Sequence, residues 1–132
     1  MLLARSVLGV KPVSMVFGYH DSLEKSLALN PLAAGTNSGI LYTTASNEVA
    51  VFTNLIFSHT QARAGVELFY TVTTSAGNYS VYDQIGVGAG VNYDRQGQFI
   101  IKPGGSLKGW VIGATAGDAA YFTALGYSML LG

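Results

Sequence analysis

The 132-residue chain contains no cysteine, so disulfide bracing, thiolate nucleophiles and thiolate metal ligands are all closed to it. Charge is the second shortage: only 11% of residues are Asp, Glu, Lys or Arg, against roughly a quarter in an ordinary soluble domain. A surface so poor in charge predicts that other copies or partners cover part of it. Seven basic residues cancel seven acidic ones. That balance leaves no basic stripe to neutralise phosphates, and nucleic acid is not expected as a partner. No uninterrupted apolar run reaches the roughly 20 residues that cross a bilayer as a helix, so no membrane partner is expected either. The opening MLLARSVLGV has no basic residue ahead of its apolar run, is interrupted by Arg5 and lacks a small-residue cleavage site; it reads as part of the mature protein.

Catalytic and metal signatures are also scarce. His20 and His59 are the only histidines, and neither has a second histidine at the three- or four-residue spacing of a zinc site, so both read as turn or surface residues. Asp83, Asp94 and Asp118 are candidates for a carboxylate pair or cation site, but their settings favour turn and strand positions. Gly86-Val87-Gly88-Ala89-Gly90 superficially resembles a phosphate loop. A phosphate loop needs a helix directly after it, whereas the following residues read as a strand, so this run is an inter-strand loop. No Gly-x-Ser-x-Gly elbow occurs. No enzyme activity, cofactor or metal is expected.

What the chain does have is glycine, 17 residues of it, and β-forming runs. ILYTT, VAVFTNLIFSHT, VELFYTVTT, YSVYDQIGV and VNYDRQGQFII follow one another from Ile40, separated by short polar or glycine-containing breaks. Two more strands follow Gly105, giving about seven, the number and spacing of an all-β antiparallel sandwich, either jelly-roll or immunoglobulin-like. In the run from Val66, alternate residues Val66, Leu68, Tyr70 and Val72 form an apolar face, and Phe69 stands alone among polar residues on the other. Leu107 and Val111 face one way and Trp110 and Ile112 the other. One of these faces closes the sandwich and the other meets a partner.

Residues 1–39 read differently and are set apart as an N-terminal arm, with residues 40–132 as the sandwich domain. Asp21 and Glu24 fit a capping signal, and Leu23 and Leu27 share a helical face, which predicts at most one short helix near Ser22–Leu29. Val13–Tyr19 reads equally as an arm lying on another subunit or as a strand within its own sandwich. The interface candidates are therefore Leu3, Val7, Val16 and Phe17 in the arm, and Phe69, Trp110 and Ile112 in the sandwich. The aromatic set Tyr79, Tyr82, Tyr93, Trp110, Tyr121 and Tyr127 would suit a sugar-binding surface, yet equally fills a core or an interface.

From Gly39 to Leu130 the sequence resembles small virion proteins of tailed bacteriophages. The residues that carry the resemblance are VAVFTNLIFSHT, GVELFYTVTT, IIKPGGSLKGWVIGATA and AYFTALGYSML. The resemblance implies a small β-sandwich assembled as a homo-oligomer, a trimer by analogy, on the head, neck or tail. It implies a capsid cement or decoration protein that binds the major capsid protein or another virion protein, located in the virion and assembled in the host cytoplasm. A neck or tail structural protein and a tail-tip carbohydrate- or receptor-binding module are the alternatives. No catalytic residues are implied.

Overall fold

A computed structural model describes residues 17–131, with side chains from Tyr19 onward. Eight strands account for most of it: β1 (Phe17–Leu29), β2 (Gly35–Thr43), β3 (Glu48–His59), β4 (Arg63–Thr74), β5 (Gly77–Val87), β6 (Tyr93–Ile101), β7 (Ser106–Ala114) and β8 (Ala120–Leu131). They form two four-stranded antiparallel sheets, ordered β1-β8-β3-β6 and β2-β7-β4-β5. Strands pair first with last, second with seventh, third with sixth and fourth with fifth. This is one long antiparallel hairpin, and rolling it up brings β8 beside β3 and β7 beside β4. Of the two sandwiches expected, the chain adopts the jelly roll.

Period-two burial explains why these sequences become strands. Val66, Leu68, Tyr70 and Val72 of β4, and Leu107 and Val111 of β7, all point into the space between the sheets. From the opposite sheet Phe52, Leu55 and Phe57 of β3 and Phe122 and Ala124 of β8 meet them. Phe57 is the centre of this core. Its ring stacks on Tyr82 at 4.6 Å and on Tyr70 at 5.7 Å, and Phe122 stands edge-on to it at 6.0 Å. Each such pair adds about 0.5–1.5 kcal/mol beyond the area buried. The buried Tyr70 hydroxyl lies 2.7 Å from the Ile56 carbonyl oxygen and 3.0 Å from that of Thr123, so its polar end is satisfied by the facing sheet.

Two expectations are corrected here. The short helix near Ser22–Leu29 does not form; those residues belong to β1, paired with β8 along its length. Leu23 and Leu27 are four apart, an even spacing that satisfies a strand face as well as a helical one, and the long β8 partner decides between them. The boundary at residue 39 also moves. Residues 17–39 contribute β1 and the first part of β2, both inside the sheets, so β1 is the eighth strand beyond the seven expected. Of Val13–Tyr19, the part from Phe17 pairs within its own chain, Phe17 opposite Leu131; residues 13–16 lie outside the described residues.

Candidate functional site

The interface candidates separate into two groups. Leu3, Val7 and Val16 lie outside the described residues, and of Phe17 only the backbone, paired with Leu131, is described. Phe69, Trp110 and Ile112 are brought together on the outer face of the β2-β7-β4-β5 sheet. Register places them there. Phe69 of β4 pairs with Trp110 of β7, and Glu67 of β4 pairs with Ile112 of β7 on one side and Ile85 of β5 on the other.

Side chains on that face fall into cross-strand rows. The first holds Ile112, Glu67 and Ile85; the second holds Ser38, Trp110, Phe69 and Asp83; the third holds Ile40, Lys108, Thr71 and Ser80. A fourth, of Thr43, Ser106, Thr73 and Asn78, is polar and bounds the patch. At the centre the Phe69 and Trp110 rings stack with centroids 5.7 Å apart and planes 4° from parallel. The Trp110 indole Nε1–H donates to Thr71 Oγ1 at 2.8 Å, which fixes the ring over its neighbour strand. Lys108 holds its ammonium 5.7 Å from the Trp110 ring centroid. Around this centre Ile85 is 69%, Ile40 53% and Ile112 41% exposed.

The charges on this face are unbalanced locally. Burial, with Asp83 hydrogen-bonded and charged beside it, holds the Glu67 carboxyl above its usual range. Among the described residues neither Glu67 nor Asp83 forms an ion pair. The face therefore presents a rigid aromatic pair, a ring of exposed aliphatic side chains, one cation, and an acidic pair that lacks a cation. Aromatic anchors amid apolar and complementary polar groups are the usual make-up of a protein interface core.

The remaining candidates scatter. Tyr82 is buried against Phe57, and the Tyr93 hydroxyl accepts the Gly88 N–H at 2.9 Å. Tyr121 and Tyr127 lie on the outer face of the other sheet, where Tyr127 stacks with Tyr19 at 6.4 Å. Tyr79 sits on the open edge between β5 and β6, in a groove of about 370 Å³ with Val81, Phe99 and Ile100. These rings do not converge on one sugar-sized surface. Gly86 and Val87 end β5, and the loop that follows leads into β6 without a helix. His20, Asp83 and Asp94 are exposed.

His59 corrects the sequence reading: it is 1% exposed, not a surface residue. It is the inward-facing last residue of β3, in register with Leu55 and Phe57, and that alternation was the available signal. Its Nδ1 lies 2.8 Å from the Gln61 carbonyl oxygen and 3.1 Å from the Gln61 nitrogen. Its Nε2 faces Asp118 Oδ2 at 3.8 Å. Arg63 in turn donates to both Asp118 oxygens, at 2.9 and 3.2 Å, and holds that carboxyl below its usual range. The Asp118 backbone carbonyl accepts the Leu32 N–H at 2.7 Å. With its carboxylate engaged by Arg63, this cluster ties three loops together at one end of the sandwich. Among the described residues no group of three or more metal-ligating side chains occurs.

No protein-family model matches the chain, and no curated protein matches it. Solved structures that resemble it include a T=1 particle derived from infectious bursal virus, with 15% identity and a TM-score of 0.47 over 84% of this chain and 31% of that one. The chain thus spans about a third of the length of that viral protein. A subunit of Bacillus endospore appendages, described as disulfide-linked pili, matches with 13% identity and a TM-score of 0.47, over 96% of this chain and all of that one. A Drosophila NLP core, from a study of pentamer formation and histone binding, matches with 8% identity and a TM-score of 0.42 over 81% of this chain and 97% of that one.

Proposed function

We propose that this chain is a structural subunit of an assembled particle, and within that class a virion protein: the capsid cement or decoration protein of a tailed bacteriophage. The observation that carries the reading is the outer face of the β2-β7-β4-β5 sheet. A Phe–Trp stack ringed by exposed isoleucines, on a chain with so few charges, is surface built to be covered. The resemblance of the strand sequences to small tailed-phage proteins narrows the class from any assembly to a virion. Its partners are then other copies of itself and the major capsid protein, and its location is the particle, assembled in the host cytoplasm. A neck or tail position uses the same kind of surface. The carbohydrate-binding alternative has less support, because the tyrosines are dispersed and the indole N–H that a sugar hydroxyl would use is already engaged by Thr71.

The test is quantitative mass spectrometry of purified particles. A copy number comparable to that of the major shell protein supports the cement role, and a few copies per particle moves the chain to the neck or tail. Absence from particles overturns the virion reading.

A further inference from the structure

We infer that the outer face of the β2-β7-β4-β5 sheet is the seat of a second copy of this chain, related by a two-fold axis that passes through the Phe69–Trp110 row and pairs Lys108 of each copy with Glu67 of the other. This deepens the reading of the chain as a structural subunit and rests on it, by naming what covers the face and how.

The argument starts from the register. Lys108 lies on β7 one row to one side of the aromatic row, and Glu67 lies on β4 one row to the other side. Two sheets packed face to face with two-fold symmetry have their axis in the plane of the contact, so the operation exchanges what lies on either side of the axis line. An axis running across the strands through the Phe69–Trp110 row therefore exchanges the Lys108 row with the Glu67 row. Lys108 and Glu67 are about 13 Å apart along the strands and one strand spacing of about 4.8 Å apart across them. Tilting the axis by about 20° from the perpendicular to the strands cancels that sideways offset. Each Lys108 then stands opposite Glu67 of the second copy, the aromatic rows lie on one another, and Ile40 falls close to Ile112 of the second copy.

Charge selects this arrangement over a slipped one. The Glu67–Asp83 pair has no cation in its own chain among the described residues, while Lys108 rests on an aromatic face without a carboxylate. The two-fold supplies each with what it lacks, twice over, at the edge of a contact whose centre is apolar. Such self-complementarity is what an isologous interface requires, and it makes the closed pair the basic unit, where the resemblance alone suggested a trimer.

The experiment is sedimentation equilibrium of the full chain and of Lys108→Glu, Glu67→Lys and the double exchange, with far-ultraviolet circular dichroism to confirm the fold of each. Either single reversal is expected to weaken self-association about tenfold or more, by opposing two like charges at each of two symmetric positions. The double exchange is expected to restore it to within about threefold of the parent. A second measurement uses a zero-length carbodiimide on a mixture of isotopically light and heavy chains, in which a Lys108–Glu67 crosslink between light and heavy peptides is expected. If the chain self-associates but the double exchange does not restore it and no mixed crosslink forms, the two-fold geometry is overturned while the subunit reading stands. If the chain remains a monomer at all concentrations and no assembled particle contains it, both fall.

Discussion

Replacing Gly126 by alanine tests the β3–β8 pairing at its tightest point. Gly126 sits opposite Phe52 where the register of β3 shifts between Phe52 and Asn54. A Cβ built there would lie 2.0 Å from the Val51 carbonyl oxygen and 2.7 Å from the Phe52 Cα. Ordinary contact begins near ~3.5 Å, so the two strands would have to part by more than ~1 Å. Both obstacles are backbone, and no rotamer change relieves them. Overpacking typically costs about 1–3 kcal/mol, and a backbone wall puts this case at or above the upper end. The stiffening of the unfolded chain by alanine returns only about 0.4–1 kcal/mol. At about 4 °C per kcal/mol for a chain of this size, the Tm should fall by about 10 °C. Gly109→Ala is the informative comparison, since its Cβ would meet the Phe122 ring at 2.7–3.0 Å; a ring can shift, so a smaller loss of about 1–2 kcal/mol is expected. Gly65→Ala is the control, with nothing within 4 Å of its Cβ, and should change stability by less than about 1 kcal/mol in either direction. Urea unfolding of the three variants checks the order. A Gly126→Ala protein as stable as Gly65→Ala would refute this account of the β3–β8 contact.

Tyr70→Phe removes the hydroxyl that reaches the Ile56 and Thr123 carbonyls while keeping the ring stack, and should cost about 1–2 kcal/mol in urea unfolding; no loss would show that those carbonyls need no second donor. Stability should fall with acid. Burial raises the Glu48 carboxyl, but hydrogen bonds from the Tyr42 hydroxyl and the Ala45 N–H outweigh it and leave it below the usual range; Arg63 does the same for Asp118. Their stabilisation is complete above the ordinary carboxylate range and is lost as pH falls through the lowered values. Glu67, raised, has the opposite sign and favours the folded state as it protonates. Glu48→Gln should therefore flatten the acid limb of a Tm-against-pH curve, and Glu67→Gln should raise the stability of the dissociated chain at neutral pH. Trp110 is the only tryptophan, so its emission should shift to the blue as concentration rises, and an emission maximum independent of concentration across an association measured by sedimentation would place the contact elsewhere. Truncation to begin at Asp21 takes from β1 only its Phe17–His20 end and should leave a folded sandwich, whereas truncation to begin at Asn30 strips β8 of its edge partner and should abolish cooperative unfolding in a thermal melt.

Strand identity was legible wherever alternation was strict. The runs from Ile40 to Leu131 become β2 to β8, and the breaks at Pro103-Gly104-Gly105 and Gly117-Asp118 are turns, as their glycines require. β1 was missed for a physical reason. Its charged and small residues, Asp21, Ser22, Glu24 and Ser26, alternate weakly against Leu23, Lys25 and Leu27, and local signals of that strength are the ones a distant partner overrides. The partner is β8, about a hundred residues along the chain. The choice between jelly roll and immunoglobulin topology was illegible on the same ground, since strand order is set by which distant hairpin edges meet and local pattern carries no record of it.

The candidate face shows the same division between what is local and what is not. Outward-pointing Phe69, Trp110 and Ile112 could be read from alternation alone, because the inward positions beside them were already filled by Leu68, Tyr70, Leu107 and Val111. Their meeting could not, since it depends on a β4–β7 register that sets Phe69 against Trp110. Nor could the placement of Lys108 and Glu67 on opposite sides of that row. A core needs only one apolar face per strand, and β7 carries two. Apolar residues beyond those the core can use are costly to leave in water at about 25 cal/mol per Å², and a chain with charge to spare could have shielded them. This one has little to spare, and on this face it sets Lys108 and Glu67 on opposite sides of the aromatic row. On the proposed reading, the second face of β7 is where the sequence carries information about assembly, as the first carries information about folding.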